Sequence, residues 1–330
     1  MNSKFEIKGG YHIYEEITFL KGFSITTIVF MHLIQKYMTY FPEIFLKLSS
    51  FGGTGVHVFF FCSGFGLFLS YKKRESSFIT FIKKRFGKIY FPYIFVVLIT
   101  FGVPYITVDG DRFITLLSHI FLFKMFFPQF ESTFGPFWFI STLFQLYIVF
   151  IPLCIIRNKV GSRYFFIICF CLSFFWWCFT VYIGKNDERV WGSFFLQYLW
   201  EFSLGMCLAD YFYNNYKLCI KNQLLVLTAC IGIIIEGILG IKGGVLCSFN
   251  DLPALLGYGS FGLLLFQIII VRRFFCWISL ISYEWYLLHI LIFALVFSYG
   301  NSIYLCIIAL LSSVFFAYLY NKFLKFIIRW

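Results

Sequence analysis

Seven ionisable side chains lie inside long apolar stretches of this sequence, where their types and spacing could support chemistry. They are Lys21, His32, His57, Glu201, Glu236, Glu284 and His289. Lys21 and His32 are eleven residues apart, so a helix would carry both on one face, separated by about 16 Å along its axis. A histidine in this setting could take and return a proton near neutral pH.

Each of these polar groups also has a simpler interpretation, which is a structural hydrogen bond between neighbouring helices. A charge at the centre of a bilayer costs at least about 2.5–3.5 kcal/mol, so such residues are more often functional than a polar surface residue is. His32 lies near the end of the first apolar stretch, and His57 lies near the start of the second, which runs back in the opposite direction. The two histidines would therefore lie at a similar depth. Two histidines toward the outer side, with the basic Lys21 near the cytoplasmic side, would suit transfer of a group across a membrane.

A basic loop follows the second apolar stretch and carries seven Lys or Arg residues in the seventeen positions 72–88. Arg85 and Lys88 are one helical turn apart, so both side chains could converge on a phosphate. The alternative is an ordinary solvated loop on the cytoplasmic side. The spacing alone leaves both interpretations open.

The elements that position these residues follow from composition. The chain has 330 residues, of which 61% are hydrophobic and 13% charged, and it contains 50 Phe, 22 Tyr and 8 Trp. Soluble domains are closer to half apolar and a quarter charged. The composition therefore excludes a soluble fold and predicts one membrane domain, residues 1–330, with short loops.

The apolar runs are continuous and do not alternate, which favours helices over a transmembrane β-barrel. We predict an all-α bundle of about ten transmembrane helices. Residues 113–127 are apolar but short, and they predict an interfacial or re-entrant helix. The predicted spans are 17–35, 54–71, 89–108, 136–156, 163–183, 193–212, 223–241, 252–271, 278–299 and 302–324.

The distribution of Lys and Arg predicts the orientation. With the N-terminus in the cytoplasm, nineteen of these residues fall on the inner side and seven on the outer side, with Lys21 inside the first span. This asymmetry places both termini in the cytoplasm. It also accounts for most of the net charge of +12 without a nucleic-acid partner.

The cysteines indicate neither a metal site nor a redox site. Most of the eleven lie in apolar segments, none forms a C-x-x-C pair, and no Cys/His spacing is typical of zinc. We therefore expect small packing residues and no metal. The polar first sixteen residues and the long apolar stretch after them predict no cleaved signal peptide.

Five segments, in order along the chain, resemble the acyltransferase-3 family of membrane O-acyltransferases. In the first, KGFSITTIVFMHL from Lys21, the family has Arg-Gly near the start and a His eleven residues after the Arg. The second, GTGVHVFFFCSGF from Gly53, is similar to the family's Gly-Val-x-x-Phe-Phe-x-x-Ser-Gly segment. The others are KRFGKIYFPY from Lys84, FWFISTLFQLY from Phe137 and SYEWYLLH from Ser282.

The resemblance implies ten helices in a bacterial cytoplasmic membrane, surrounded by lipid. It implies a cytoplasmic acyl-coenzyme A donor, acetyl-coenzyme A by default, and a glycan or lipid-linked sugar acceptor. It also implies that His32 is catalytic and that Arg85 and Lys88 lie near the donor. Two positions depart from the family pattern, because Lys21 and Lys88 stand where the family has Arg. Lysine keeps the charge but loses the bidentate fork, so the donor could be bound differently.

On this basis we expect the phosphates of coenzyme A to bind Arg85 and Lys88, with Lys83 or Lys84, at the inner mouth. The pantetheine arm would follow the Lys21–His32 face toward the outer side. His32 would act as the general base on a sugar hydroxyl, or would carry the acyl group itself.

Other polar residues could support this reaction. The imidazole of His32 could be oriented by His57, Glu236 or His289, among which the sequence does not choose. The acceptor could bind Trp138, Gln145 and Tyr147, which could equally anchor and pack the helices. The acceptor's identity and the choice of acetyl over succinyl are open, and we expect no attached esterase-like domain.

Two other functions compete with this one. A transporter or flippase for lipid-linked oligosaccharides would use the same polar groups, but such carriers often show repeated halves, and no repeat is apparent. A non-catalytic subunit of a polysaccharide export complex would follow if Lys21 and Lys88 abolished donor binding.

Overall fold

The computed structural model describes residues 4–7, 13–36, 41–103, 110–130, 135–214, 216, 218–242 and 244–327. Within them the chain is almost entirely helical, with short 3₁₀ turns and one π turn. The elements are β1 (Lys4–Ile7), α1 (Ile13–Lys36), α2 (Glu43–Ser50), α3 (Gly55–Lys73), α4 (Phe78–Arg85), α5 (Phe91–Gly102), α6 (Arg112–Ile120), α7 (Trp138–Tyr182), α8 (Arg189–Gly192), α9 (Phe195–Tyr213), β2 (Leu218–Lys221), α10 (Asn222–Lys242), α11 (Asp251–Phe266), α12 (Ile269–Ser279), α13 (Ser282–Phe297) and α14 (Ile303–Ile327).

The prediction of an all-α membrane protein is confirmed. Six of the described helices, or seven if α11 and α12 form one bent span, are long and apolar enough to cross a bilayer. Many large apolar side chains on these helices are exposed, as a lipid-facing surface requires. The number of ten crossings stays a prediction, and residues 104–108 of the predicted span 89–108 lie outside the described residues.

Helix α7 contains two of the predicted spans. Gly161 interrupts it with φ of 80° and ψ of 160°, in the region of positive φ that favours glycine. The chain folds back there, because both ends of α7 reach the segment around α8. Arg189 lies 5.3 Å over the Trp138 ring, and the Trp176 indole N–H donates to the Trp191 carbonyl at 3.2 Å.

A predicted single span, 252–271, is divided in the structure. Helix α11 ends at Phe266, and α12 begins at Ile269 after a bend of 117°. Gln267 occupies the break, where its amide exchanges hydrogen bonds of 3.0 and 3.2 Å with Asn222. These two amides bond to each other at the point where α11 ends.

Several contacts place loops of the predicted cytoplasmic side on one face of the bundle. Strand β1 pairs antiparallel with β2, which joins the N-terminus to the segment before α10. Asp210 at the end of α9 forms ion pairs with Arg157 and, at 3.4 Å, with Lys72. These pairings agree with the predicted sidedness of the loops, while the orientation of that face toward the cytoplasm stays a prediction.

Helix α1 lies at the centre and packs against α3, α11, α12 and α13. Helices α3 and α9 form the most extensive pair, and glycines allow their backbones to approach closely. A Cβ at Gly64 would overlap the Phe202 carbonyl, and one at Gly205 would overlap the Phe61 carbonyl. Helix α13 also packs against α1, and this contact brings His289 to His32.

The close approach of α3 and α9 gives a prediction for stability. We expect Gly64→Ala to lower the midpoint of thermal unfolding in detergent, because the new methyl group meets a backbone carbonyl that cannot rotate away. Overpacking of this kind costs roughly 1–3 kcal/mol. Gly66→Ala is the matched control on the same helix, where a Cβ has no neighbour within 4 Å. Equal midpoints for the two variants would contradict this account of the packing.

Candidate active site

Two histidines from opposite ends of the chain meet in the bundle. His32 on α1 and His289 on α13 lie with Nδ1 and Nε2, respectively, 2.9 Å apart. Their rings stack with centroids 5.1 Å apart and planes 18° from parallel. His289 is fully buried, whereas His32 is partly exposed. Of the three residues that the sequence proposed as supports for His32, the structure brings His289 into contact.

The hydrogen bonds of His289 determine where the protons lie in this pair. Its Nδ1 is 3.0 Å from the Trp285 carbonyl and 2.7 Å from the Tyr286 carbonyl. Carbonyl oxygens only accept, so Nδ1 carries the hydrogen and Nε2 has the lone pair. His32 must then donate from Nδ1, which leaves its own Nε2 with a free lone pair. The backbone of α13 thus prepares His32 to accept a proton.

A cavity of about 350 Å³ lies below this pair, between α1, α3, the α4–α5 segment, α7 and α13. Lys21, Arg85 and Lys88 line one part of it, together with Ser63, Tyr147 and Tyr283. The lining also includes Ile28 and Tyr286, which lie one helical turn before His32 and His289. The cavity therefore runs from three cationic side chains to within one turn of the histidine pair.

Among the described residues, the cations in this cavity form no salt bridge, and Glu284 interacts with Lys88 only at longer range. Within the part of the chain that the structure describes, neither Lys21, Arg85 nor Lys88 pairs with a carboxylate, and the buried Arg85 Nε has no hydrogen-bond partner. The Arg85 guanidinium lies 5.4 Å over the Phe81 ring and 6.0 Å over the Tyr147 ring. A polyanion with phosphate oxygens would satisfy both the charge and the free N–H.

Lys84 lies apart from this group. Lys83 and Lys84 are exposed on α4 and do not line the cavity. Because successive helical residues point in different directions, the turn that aims Arg85 inward aims its neighbours outward. The structure therefore groups Lys21, Arg85 and Lys88 of the predicted donor-binding residues, and leaves Lys84 on the surface.

His57 belongs to a second polar cluster. Its Nδ1 is 2.6 Å from Glu201 Oε1 on α9, and its Nε2 is 3.7 Å from Asp251 Oδ1 at the start of α11. The Gln197 amide donates to Asp251 Oδ2 at 2.6 Å. Glu236 accepts a hydrogen bond from Thr54. Hydrogen bonds thus join His57 and Glu236 to partners other than His32.

The three predicted acceptor residues lie in three different surroundings. Trp138 stacks on Tyr198, with ring centroids 5.7 Å apart. Gln145 Oε1 accepts the Phe195 backbone N–H at 3.1 Å, which fixes the first turn of α9. Tyr147 lines the cationic cavity. The structure thus gives Gln145 a structural bond and places Tyr147 beside the predicted donor site.

Asp251 was not among the sequence candidates, although it completes the second cluster. It stands immediately before the predicted span 252–271, so the apolar window excluded it. An acidic residue just before Leu252 and Pro253, at a helix start, was the available signal. Glu201 was recognised as an intramembrane carboxylate, but its pairing with His57 spans 144 positions.

These features define the class of protein: a multi-pass α-helical membrane protein with a hydrogen-bonded histidine pair above a cation-lined cavity. Residues 14–322 match the family model of the acyltransferase domain of the acyltransferase-3 type. The chain therefore belongs to the acyltransferase-3 family, as the sequence motifs predicted, and is by domain type a membrane acyltransferase. No curated protein and no solved structure matches it.

Proposed function

We propose that the protein moves an acetyl or other short acyl group from cytoplasmic acyl-coenzyme A to a hydroxyl of an envelope or extracellular glycan. The membrane would be the cytoplasmic membrane of a bacterium. The observation that carries this proposal is that the cationic cavity reaches to within one helical turn of the histidine pair. It supplies an anion site for the donor's phosphates and a base for the acceptor's hydroxyl along one path.

The donor's phosphates bind Arg85, Lys88 and Lys21 in this proposal, and its thioester arm extends along α1. Lys21 and His32 are separated by about 16 Å along a helix, a distance that an extended pantetheine arm spans. The free Arg85 Nε favours this donor over a neutral ligand, because a phosphate oxygen would satisfy the orphaned N–H. A lipid-linked oligosaccharide carrier would leave the hydrogen-bonded histidine pair without a role.

His32 Nε2 then removes the proton from the acceptor hydroxyl. The hydroxyl oxygen attacks the thioester carbonyl carbon, the carbon–sulfur bond breaks, and coenzyme A leaves as a thiolate. The proton on His32 passes to that sulfur, which restores the neutral imidazole. Throughout, His32 Nδ1 donates to His289 Nε2, so the ring keeps its orientation in both charge states.

The test is transfer of radiolabelled acetyl from acetyl-coenzyme A by membranes that contain the chain. We expect label in the glycan or lipid-linked fraction, released by mild alkali as an O-ester should be. Membranes with equal amounts of His32→Ala protein are the control. Label that appears equally with both proteins, or only in an alkali-stable form, would contradict the proposal.

His289 is a positioning residue for this reaction, which gives a separate prediction. We expect His289→Leu to lower kcat by roughly 100-fold, because loss of the partner that sets the tautomer is costly in comparable sites. The KM for the donor should change little, because His289 does not line the cationic cavity.

His289→Gln is the informative companion variant, since its side-chain carbonyl can still accept from His32 Nδ1. We expect its kcat to lie between those of the wild type and His289→Leu. Equal activities of the Gln and Leu variants, or a change confined to KM, would show that the hydrogen bond to His32 is not what matters.

A further inference from the structure

The second polar cluster has the composition and geometry of a metal site. His57, Glu201 and Asp251 each offer one donor atom, and these three atoms lie within 4.8 Å of one another. They come from α3, α9 and α11, so no local spacing in the sequence predicted them. The cluster involves none of the cations or histidines of the proposed acyl-transfer path.

With both carboxyl groups ionised, this cluster carries more negative than positive charge. Two carboxylates face one imidazole, and Glu236 is close enough to interact electrostatically with His57 as well. Glu201 is fully buried, and its Oε2 has no hydrogen-bond partner among the described residues. A divalent cation on His57 and Asp251 would offset the negative charge of the two carboxylates, since a buried charge is costly unless it is paired or binds a metal.

The supporting hydrogen bonds also fit metal binding. A metal-binding histidine usually donates its second ring N–H to a carboxylate, as His57 Nδ1 does to Glu201. This leaves His57 Nε2 facing Asp251 Oδ1 at 3.7 Å, close to the roughly 3.4 Å between two tetrahedral ligands of one zinc ion. The Gln197 amide holds the other oxygen of Asp251.

We propose that His57 Nε2 and Asp251 bind one divalent cation of the Zn²⁺ or Mn²⁺ type, while Glu201 holds His57 through the hydrogen bond from Nδ1. An imidazole with a carboxylate suits these ions, whereas Mg²⁺ and Ca²⁺ prefer oxygen ligands alone. The side chains of His57 and Asp251 keep 16% and 11% of their surface exposed, so an ion can reach them. The bound ion would tie α3 and α11 together.

Metal binding by the purified full chain tests this proposal. Tag-free protein in nanodiscs is treated with chelator, incubated with Zn²⁺ or Mn²⁺, desalted and analysed for metal. We expect about one ion per chain and a higher midpoint of thermal unfolding with the ion than without it. No retained metal on monodisperse wild-type protein would overturn the proposal.

Variants locate the site. Asp251→Asn and Glu201→Gln nearly keep the side-chain shape, and each should weaken binding by about tenfold or more. Glu284→Gln is the matched control, because this buried carboxylate accepts from Asn321 on the far helix pair and lies outside the cluster. Equal binding by all three variants would overturn the assignment.

A spectroscopic measurement on wild-type protein covers the case in which the cluster variants fail to fold. Electron spin-echo spectra of the Mn²⁺-loaded wild type should show coupling to one imidazole nitrogen. Bound Mn²⁺ with no nitrogen coupling would place the ion elsewhere. The result is independent of acyl transfer, so the metal site and the proposed function stand or fall separately.

Discussion

Replacement of His32 by Ala is expected to lower the rate of acyl transfer by about 10²–10⁴-fold, the usual contribution of a general base. The reason is that His32 Nε2 carries a free lone pair. The α13 carbonyls hold the hydrogen on His289 Nδ1, and His289 Nε2 in turn holds the hydrogen on His32 Nδ1. The measurement is the initial rate of alkali-labile label transfer at saturating donor, with equal amounts of folded protein.

Two controls separate this chemical role from a structural one. His32→Gln retains a donor for His289 Nε2 but has no basic nitrogen, so it should be about as inactive as His32→Ala. Both variants should still bind acetyl-coenzyme A, because His32 does not line the cationic cavity. A rate within about threefold of wild type for either variant would remove His32 from this mechanism.

Replacement of Arg85 by Ala is expected to raise the KM for acetyl-coenzyme A by about 10- to 150-fold. A charge-assisted hydrogen bond contributes roughly 1.5–3 kcal/mol, and each 1.4 kcal/mol or so is a factor of ten. The effect should appear in KM more than in kcat, because the proposed function has Arg85 bind the phosphates, far from the thioester. The KM of Arg85→Lys should lie between those of the wild type and Arg85→Ala, since lysine keeps the charge but lacks the planar fork.

Neighbouring cations serve as controls for charge alone. Arg74 is exposed at the end of α3 and lies outside the cavity lining, so Arg74→Ala removes the same charge from the same basic loop and should leave KM within about twofold. Lys84→Ala distinguishes the structure from the sequence prediction. The sequence placed Lys84 at the donor site, whereas in the structure its side chain points away from the cavity. A KM effect of Arg74→Ala as large as that of Arg85→Ala would show that only net charge matters.

The helical character and the catalytic candidates could be predicted from the sequence because both depend on local patterns. Long apolar runs predict helices, and Lys21 and His32 share a face through helical periodicity alone. The bend between α11 and α12 escaped prediction, since Gln267 is one polar residue in an otherwise apolar run. The pairing of β1 with β2 escaped it too, because it joins residues more than two hundred positions apart.

The partners within each cluster could not be predicted, since they depend on how the helices rotate against one another. His289 contacts His32 across 257 positions. His57, expected at a depth similar to that of His32, turns instead toward Glu201 and Asp251. Helix packing decides between such alternatives, and in this bundle contacts such as the close approach of Gly64 to α9 fix the rotation.

Binding of acetyl-coenzyme A to the purified wild-type protein in nanodiscs tests the central claim most directly. S-acetylpantetheine, which carries the same thioester arm without the nucleotide phosphates, is measured beside it as a competitor. We predict saturable binding of acetyl-coenzyme A that S-acetylpantetheine displaces weakly at best, because the proposal assigns the phosphates to Lys21, Arg85 and Lys88, which line the cavity. Two results would contradict the assignment of this cavity to the acyl donor. One is no binding of acetyl-coenzyme A by monodisperse protein. The other is displacement of bound acetyl-coenzyme A by S-acetylpantetheine as readily as by unlabelled acetyl-coenzyme A.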